Sequence, residues 1–404
     1  MSVPDARDDT NASPPRPLAV QVVRQYAPNR GGLEDVVANL AKQLQARGYR
    51  VRIVTLDRLF TDPGRTLPAS ETIDGVEVVR IPFSGSTRYP IAPAVFRRIR
   101  DADIVHVHAI DFFFDALAWG WLLHRKPLVA TTHGGFFHTP KHAALKKAWF
   151  ATVTRLSALG YRRIVGCSAQ DTARFETIAP GRVERIDNGA ELAKFHDAGS
   201  PAPRREIVTI GRFSENKRLN RLLDAMALLA AGEPAWKLHI VGVPGDHSEA
   251  AVRQMIAERG LVRNVLLHIA LANEAVRDVL SSCSIFASAS RYEGFGLVAV
   301  EAMSAGLVPV LHPNTAYRDL AARHAAVRLA DFDRPDEAAM ALEAAYAALG
   351  PDATASRAAA MAAARPYAWD QVGESYMRIY ERILQSRGTR ACIPAAERLP
   401  AGQP

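Results

Sequence analysis

Apolar residues recur along this chain in two alternating patterns. Short runs rich in valine, isoleucine and leucine are followed by longer stretches in which apolar residues return every three or four positions. The first pattern is typical of buried strands and the second of amphipathic helices. Strands that alternate with helices predict parallel sheets joined by crossover helices, so the predicted fold class is α/β.

Two such series follow one another, and 404 residues exceed what one hydrophobic core usually organises. The first series predicts a helix over Leu33–Arg47, ended by Gly48, and strands at Leu18–Arg24, Arg50–Leu56, Val76–Ile81, Ile104–His108, Leu128–His133, Arg163–Ser168 and Val183–Ile186. The second predicts strands at Ile207–Gly211, Leu238–Gly242, Val265–Ile269, Ile285–Ser288 and Val308–Leu311. We therefore expect two domains of similar architecture.

The stretch Asp197–Pro203 separates the two series and is rich in glycine, serine and proline, as an interdomain linker is. The predicted division is a disordered tail over 1–16, an N-terminal domain over 17–197, a linker over 198–204, a C-terminal domain over 205–366, a C-terminal segment over 367–387 and a second disordered tail over 388–404. The C-terminal segment contains an amphipathic helix pattern at Val372–Leu384.

Composition places the chain among globular proteins of a reducing compartment. It is 48% hydrophobic and 23% charged, and its three cysteines are far apart in sequence. The first residues, Met1–Pro17, are polar and contain no secretory signal, and the most apolar stretch, Phe112–Leu123, is shorter than the roughly 20 residues of a bilayer span. We expect a cytoplasmic protein.

The formal charge of +8 suits an anionic partner such as nucleic acid, a lipid surface or a phosphorylated substrate. No nucleic-acid reading module is present, so we expect no nucleic-acid partner. The segment 141–163 mixes cations with aromatic residues in the pattern of an interfacial helix, and a solvated helix face over the core is the alternative. The predicted membrane-facing residues are Lys141, Lys146, Lys147, Trp149 and Phe150.

Open α/β sheets bind ligands at the carboxyl ends of their strands, and the most informative motif, Ser290–Gly306, follows such a strand. If a helix begins near Gly294–Leu297, its free N–H groups form a diphosphate site made of Gly294, Phe295, Gly296 and Leu297. Glu293 can then accept hydrogen bonds from sugar hydroxyls and Glu301 from a ribose diol.

Three further loops carry weaker signals. Arg212 and Lys217 follow the first strand of the second series and can converge on one diphosphate, or they are solvated surface cations. His133 lies at the end of a strand, where it faces a ligand or is satisfied within the core. Gly31 and Gly32 precede a helix and permit close approach of a ligand, although a tight turn explains them equally well.

Taken together, Gly211-Arg-Phe-x-x-x-Lys217, Glu293-Gly-Phe-Gly and Glu301 resemble the retaining glycosyltransferases of family 4. The resemblance covers nearly the whole chain and implies the GT-B fold: two Rossmann-like domains that face each other across a cleft, with a C-terminal helix that crosses back to the N-terminal domain. More narrowly, the segments 54–58, 60–63, 85–93, 110–115 and 132–139 resemble the α-mannosyltransferases of xanthan and acetan assembly.

The narrower resemblance implies a donor, an acceptor and a place of action. Mannose passes from GDP-mannose to the terminal glucose of cellobiosyl-diphosphopolyprenol, with an α-1,3 bond and retained configuration, at an anionic inner membrane surface to which the enzyme is peripherally bound. It implies that His133 and Glu293 are catalytic, that Arg212 and Lys217 hold the diphosphate, and that Gly31 and Gly32 line the cleft. The base is expected beside Val241, Gly242, Ala270 and Leu271, none of which singles out guanine.

No metal or other cofactor is predicted, because cationic side chains take the place of a divalent ion and no Asp-x-Asp pair lies where metal-dependent transferases hold one. Three alternatives stay open at this point. A transferase for a UDP-sugar, or for a phospholipid acceptor such as phosphatidylinositol, would share the donor motif. A basic nucleic-acid-binding protein and a non-catalytic nucleotide-sugar binder belong to other classes.

Overall fold

The computed structural model describes residues 16–134, 143–351 and 353–386, which form two compact units. The first unit ends at Ile186 and resumes at Gly373, and the second is Asp187–Val372. Within the second unit, Arg357 donates hydrogen bonds to the carbonyl oxygens of Gly199 and Ser200. The predicted domain limits and the linker over 198–204 stay predictions.

The first unit is built around a sheet whose central strand is buried along its whole length. Its strands are β1 (Leu18–Val22), β2 (Arg50–Leu56), β3 (Arg58–Leu59), β4 (Asp62–Thr66), β5 (Ser70–Ile73), β6 (Val76–Ile81), β7 (Ser84–Ser86), β8 (Tyr89–Ile91), β9 (Ile104–His108), β10 (Leu128–Thr131), β11 (Arg163–Gly166) and β12 (Val183–Arg185). The sheet order is β12-β11-β10-β9-β1-β2-β6-β5, and only the β5–β6 pair is antiparallel. Because β1 pairs with β2 and β9 and is covered on both faces, it reads as a continuous apolar run.

The helices of the first unit cover this sheet with their apolar faces. They are α1 (Gly32–Ala46), α2 (Val95–Arg98), α3 (Phe112–Trp119), α4 (Trp121–His124), α5 (Ala143–Trp149), a π-helix (Phe150–Thr154), α6 (Arg155–Ala158) and α7 (Ala169–Glu176). In α1 the buried residues return every three or four positions, and Gly48, at φ +87°, follows its end as expected.

The second unit is a parallel sheet with the order β15-β14-β13-β16-β17-β18. Its strands are β13 (Glu206–Ile210), β14 (Lys237–Gly242), β15 (Val265–Ile269), β16 (Ile285–Ser288), β17 (Val308–Leu311) and β18 (Arg328–Leu329). Its helices are α8 (Leu219–Gly232), α9 (Glu249–Glu258), α10 (Asn273–Leu280), α11 (Leu297–Ser304), α12 (Thr315–Arg323), α13 (Pro335–Ala347) and α14 (Thr354–Ala364), with 3₁₀ turns at Leu192–Lys194, Glu215–Lys217 and Arg365–Tyr367. This is the doubly wound order, and it reverses between β13 and β16, where ligands are expected.

A last helix, α15 (Trp369–Gln385), returns the chain to the first unit. Tyr376 and Tyr380 of α15 form hydrogen bonds with Thr131 and His106 of the first sheet. A side chain at Gly373 would collide with Gln43 of α1, so glycine permits the close approach of the two helices. The predicted return of the C-terminal helix is confirmed. None of the helices in the described ranges has the length and apolar character that crossing a bilayer requires.

Candidate active site

Next to the switch point of the second sheet, the ends of the paired strands β13 and β14 lie very close together. The Gly211 N–H donates to the carbonyl oxygen of Val241 at 2.9 Å, and a Cβ on Gly242 would overlap the Gly211 carbonyl oxygen. Ala270 then donates to the Gly242 carbonyl oxygen at 2.9 Å, which adds the end of β15 to the same edge. The edge of the sheet here is therefore bare backbone.

Asn216 joins the loop after β13 to the loop after β16. Its side-chain amide donates to the Tyr292 carbonyl oxygen at 2.9 Å, its amide oxygen accepts from Tyr292 N at 3.1 Å, and its backbone carbonyl accepts from Arg291 N at 3.0 Å. Three hydrogen bonds from one residue hold the two loops in register. No sequence motif pointed to Asn216.

This connection places Lys217 next to Glu293. The Lys217 Nζ lies 2.7 Å from Glu293 Oε1, and both side chains are mostly buried. Arg212, on the same loop, is exposed, and the stem of its side chain packs against Gly245. The predicted diphosphate cation Lys217 and the predicted sugar-binding Glu293 thus form an ion pair in this structure.

The helix predicted to open near 294–297 is α11, which begins at Leu297. Its N-cap, Gly296, has φ +89°, and a Cβ there would lie 2.7 Å from the ring of Tyr317, so both conformation and space favour glycine. Phe295 is buried against Tyr367, which leaves only its backbone for a ligand. The first N–H groups of a helix have no acceptor within it and suit an anion.

Glu301 has a partner that the sequence did not reveal. Lys194, in the 3₁₀ turn at Leu192–Lys194, places its Nζ 2.5 Å from Glu301 Oε1. Burial raises the pKa of Glu301 above its ordinary value, and the Lys194 ammonium opposes that rise. Lys194 therefore helps to keep the carboxylate that is predicted to bind ribose in its charged form.

The predicted base-binding residues lie together at the ends of β14 and β15, because Gly242 pairs with Ile269 in the parallel ladder. The Val241 side chain is buried in the core, so it offers a ligand only its backbone. Ala270 is exposed at φ +51° and Leu271 is half-buried. These residues form an uncharged surface at the ends of β14 and β15, as expected from their residue types.

Two groups of side chains in the described residues bring possible metal ligands within reach of one another. One consists of Glu206, His239 and Cys283, and the other of His312, Asp331 and Asp333. The first is already hydrogen-bonded, with His239 Nε2 2.8 Å from Glu206 Oε2. In the second, Asp333 accepts from Arg218 at 2.8 Å. That no metal takes part in the reaction stays a prediction.

His133 of the first unit is attached to a chain of buried polar side chains. Its Nε2 lies 3.0 Å from Nδ1 of His108, whose Nε2 is 2.8 Å from the amide oxygen of Gln21. Because an amide oxygen only accepts, His108 carries its proton on Nε2, and His133 must donate from its own Nε2. The Nδ1 of His133 is then left as an acceptor.

The same chain continues from Gln21 to the C-terminal helix. The Gln21 amide donates to the Tyr380 hydroxyl at 3.1 Å, which is 2.7 Å from Nδ1 of His106, while Nε2 of His106 is 2.8 Å from Thr131 Oγ1. Burial lowers the pKa of His106 to about 3 and that of His133 to about 4, and it lowers the pKa of His108 well below its ordinary value. All three rings are therefore neutral at neutral pH.

The two glycines at the start of α1, Gly31 and Gly32, have different surroundings. Gly31 is the extended N-cap of α1, and a Cβ there would meet the Glu34 carboxylate, which accepts from Asn29 at 2.6 Å. Gly32 has open space where a Cβ would lie. A Cβ at Gly31 would displace only the end of the Glu34 side chain and one at Gly32 would meet nothing, so packing demands glycine at neither position.

Two of the segments that carried the narrower resemblance meet beside β1. Arg24 Nε lies 2.9 Å from Asp111 Oδ2, and the Tyr89 hydroxyl donates to Asp115 at 2.9 Å. Asp111 also caps α3 by accepting from Phe113 N. Burial raises the pKa of Asp111 to about 6, against the opposing effect of Arg24. No motif in the sequence singles out Arg24, Tyr89 or Asp111 individually.

The predicted membrane-facing residues separate into three groups. Lys141 lies outside the described residues. Lys147 and Trp149 are exposed and Lys146 is half-exposed, in agreement with a surface role. The prediction is wrong for Phe150, which is buried in the core and packs edge-on against Phe175 at 5.2 Å.

Comparisons with known proteins agree with this geometry. Residues 30–194 match the family model described as Glycosyltransferase Family 4, and residues 192–352 match that of Glycosyl transferases group 1. A GDP-mannose:cellobiosyl-diphosphopolyprenol alpha-mannosyltransferase of Komagataeibacter xylinus is 41% identical over 93% of this chain and 96% of its own length. One of the same name from Xanthomonas campestris is 41% identical over 93% of this chain and 99% of its own length.

The fold has a counterpart among solved structures. The crystal structure of a glycosyltransferase from Rickettsia africae ESF-5 matches with a TM-score of 0.69 at 17% identity, over 92% of this chain and 99% of that chain. Nearly full-length identity of 41% to two enzymes goes well beyond a shared fold. The chain therefore belongs to the family 4 glycosyltransferases and has the GT-B fold.

Proposed function

We propose that this enzyme transfers mannose from GDP-mannose to the terminal glucose of cellobiosyl-diphosphopolyprenol, with an α-1,3 bond and retained configuration, during assembly of an acetan- or xanthan-type repeat unit. The observation that carries the proposal is 41% identity over 93% of the chain to relatives named for this donor and acceptor. Nucleic acid has no part in it. The reaction takes place at the inner face of the cell membrane, where a polyprenyl-linked acceptor resides.

The second unit binds the donor in this proposal. The diphosphate lies against Arg212, Lys217 and the N–H groups of Gly294–Leu297, the sugar against Glu293, and the ribose against Glu301. The Lys217–Glu293 pair supports this assignment, because the donor supplies a phosphate for the cation and hydroxyls for the carboxylate. Each charge then exchanges one partner for another rather than losing one.

Charge on the departing phosphate is the main thing that the site must stabilise. As the bond from the anomeric carbon to the phosphate oxygen breaks, GDP gains negative charge and the sugar becomes oxocarbenium-like. Lys217 and the α11 N-terminus stabilise the growing charge. In a front-face attack the departing oxygen takes the proton from the acceptor hydroxyl, so the bond to mannose forms on the face from which GDP leaves.

The first unit binds the acceptor and contributes His133. With Nε2 committed to His108, the neutral ring offers Nδ1 as an acceptor for a sugar hydroxyl. The cluster of Arg24, Tyr89 and Asp111 is the proposed acceptor-recognition surface, because it joins segments that the generic family pattern lacks. Gly31 and Gly32 line the same side of the site.

Mass spectrometry of the lipid product tests the proposal. The purified protein is incubated with lipid-linked cellobiose and, separately, with GDP-mannose, UDP-glucose and UDP-galactose. A single hexose added from GDP-mannose alone, released by an α-mannosidase, is the expected result. Transfer from a UDP-sugar, or transfer from GDP-mannose to phosphatidylinositol but not to lipid-linked cellobiose, would contradict it.

A further inference from the structure

A band of exposed apolar side chains covers one side of the first unit. Nine large apolar side chains of its described part are exposed, and all but Ile91 belong to one stretch of helices. The eight that form this apolar band are Trp119, Trp121, Leu122, Leu123, Leu145, Trp149, Leu156 and Leu159. The exposed apolar residues of the second unit include no tryptophan and are scattered over separate elements.

Five members of the band come together from two helical segments. Trp119, Trp121 and Leu122 line one wall of a surface groove, and Leu156 and Leu159 line the other. Leu145 and Trp149, four residues apart, share one face of α5, and Leu156 and Leu159, three residues apart, share one face at α6. Arg162, Arg163 and Arg182 close the groove at one end.

The helix α4 gives the band its most exposed part. Its sequence is Trp-Leu-Leu-His, and none of these residues is buried. Leu122 is 73% exposed and Leu123 is 83% exposed. A helix this apolar contributes nothing to the core, and large exposed apolar patches mark surfaces that something else covers.

Charge around the band identifies what covers it. No acidic residue occurs between Asp115 and Asp171, although the chain has 42 acidic residues among 404. The same interval contains Arg125, Lys126, Lys141, Lys146, Lys147, Arg155, Arg162 and Arg163. Glu184, which pairs with Arg163 at 2.9 Å, brings one carboxylate to this region from another part of the chain. A surface that is apolar at its centre and has this excess of cations around it complements a bilayer with anionic headgroups.

We propose that the apolar band docks on an anionic phospholipid bilayer. Leu122 and Leu123 enter the acyl region, the three tryptophans lie at headgroup level, and the surrounding cations contact lipid phosphates. The docking surface includes α4 and the groove as well as the segment 143–163. The inference rests on the proposed function only for its choice of a membrane as the partner.

Sedimentation with vesicles tests the proposal on the full chain. The triple variant Trp121→Ser, Leu122→Ser, Leu123→Ser is expected to partition onto phosphatidylglycerol-containing vesicles at least about tenfold more weakly than the wild type. A matched triple variant of exposed apolar residues in the second unit, Leu228→Ser, Val262→Ser, Met340→Ser, is expected to partition as the wild type does. Equal partitioning of the α4 variant and the wild type would overturn the proposal.

The cations provide a second arm. Replacing Lys147, Arg155 and Arg162 by Gln is expected to weaken binding to phosphatidylglycerol vesicles by about fivefold for each charge removed, while binding to pure phosphatidylcholine changes little. Equal loss on both kinds of vesicle would contradict a role for these cations in recognising anionic lipid.

A second copy of the chain or the C-terminal tail, as the occupant of the apolar band, would give different experimental results. If the wild type is a dimer by light scattering, the α4 variant is a monomer and their vesicle binding is equal, the band is an interface between copies and the proposal fails. If truncation after Ser386 abolishes vesicle binding while the band is intact, the C-terminal tail and not the band holds the protein on the vesicle, and the proposal fails. Calorimetry with GDP-mannose distinguishes failure of the docking proposal from failure of the proposed function. A protein that binds vesicles but not GDP-mannose would contradict the proposed function and support the docking surface.

Discussion

Each large sheet has a switch point, between β1 and β9 in the first unit and between β13 and β16 in the second. The polar residues at these two places have different kinds of partners. In the second unit, opposite charges face each other at the sheet edge, as in the pairs Lys217–Glu293 and Lys194–Glu301. In the first unit, His108 and His133 are neutral and are joined by hydrogen bonds that run back through Gln21 into the core. The second sheet therefore has two ion pairs at its ligand edge, whereas the first combines the Arg24–Asp111 pair with a neutral hydrogen-bond chain.

The different partners suit the two sites to different ligands. A charged side chain that is paired before binding stays solvated by its partner, and a ligand with a diphosphate and hydroxyls can replace that partner without leaving a bare charge. A neutral hydrogen-bond chain cannot exchange partners so easily, because each donor fixes the next. The second unit is thus suited to take up and release a charged nucleotide, and the first to fix the orientation of one ring.

The largest effect that would sharpen this contrast is expected at Lys217. Changing Lys217 to Met removes the cation from the departing phosphate and leaves Glu293 without its partner. We expect kcat/KM to fall by about 10²- to 10³-fold, the range found when one oxyanion-stabilising group is lost. Release of GDP in the presence of both substrates measures it.

The matched control is Lys237→Met, which removes a cation of the same type from the opposite end of a strand in the same sheet. Lys237 begins β14 and donates to the carbonyl oxygen of Arg263. Activity close to that of the wild type is expected. If Lys237→Met were as inactive as Lys217→Met, general loss of positive charge would explain both, and Lys217 would have no special place.

The second expected effect is a difference between the two units in how their stability depends on pH. Unfolded histidines take up protons below their ordinary pKa of about 6.5, whereas folded His106 and His133 do not until about 3 and 4. Their contribution to stability is therefore complete above pH 6.5 and is lost as the pH falls toward those values, by roughly 1 to 2 kcal/mol for each ring by about pH 5.

Hydrogen exchange followed by mass spectrometry measures the pH-dependent loss of stability separately for each unit. After correction for intrinsic exchange rates, peptides from β9 and β10 are expected to lose protection between about pH 7 and pH 5. Peptides from β13 and β16 are expected to lose less, since His268 and His312 lie partly exposed and their lowered pKa values are screened by solvent. Equal loss in both units would break the comparison.

Much of the fold was predictable because buried parallel strands are continuous apolar runs. The predicted limits of β2, β6, β9, β15, β16 and β17 are those of the structure. The hairpins β3–β4 and β7–β8 were missed because Asp62–Thr66 and Ser84–Ser86 are exposed polar segments without alternating apolar residues. Exposed strands such as these have no buried face, so their side chains carry no alternating apolar pattern.

Sequence patterns located the start of the helix at the candidate site but did not reveal the partners of its charged residues. The helix start near Gly296 followed from glycine spacing, which reflects a local backbone requirement. Lys194 was missed because its partner Glu301 is distant in sequence and no motif includes Lys194. Asn216 was missed because it occupies an unspecified position of the Gly211–Lys217 motif and its partner Tyr292 is also distant in sequence. Phe150 was misplaced because the π-helix at Phe150–Thr154 shifts the register on which helical periodicity depends.

The third effect tests whether Lys194 keeps Glu301 charged. Removing the ammonium in Lys194→Met leaves burial unopposed, so the pKa of Glu301 rises further and the carboxylate protonates at a higher pH. GDP affinity is expected to fall by about tenfold, and more at about pH 6 than at about pH 8, because a protonated acid accepts hydroxyl hydrogen bonds less well. Calorimetry at both pH values measures it, with Lys237→Met as control; a loss independent of pH would point to packing instead.

The smallest effect expected is that of removing divalent ions. If Lys217 and the α11 N-terminus stabilise the negative charge that develops on the departing phosphate, no metal ion is needed for this purpose. Turnover in EDTA should then equal turnover in Mg²⁺. The two possible ligand groups do not argue otherwise. Glu206 begins β13, at the end of the sheet away from the donor loops, and Asp333 is already paired with Arg218. Loss of turnover in EDTA that Mg²⁺ or Mn²⁺ restores would show that the paired charges of the second unit do not suffice for the reaction.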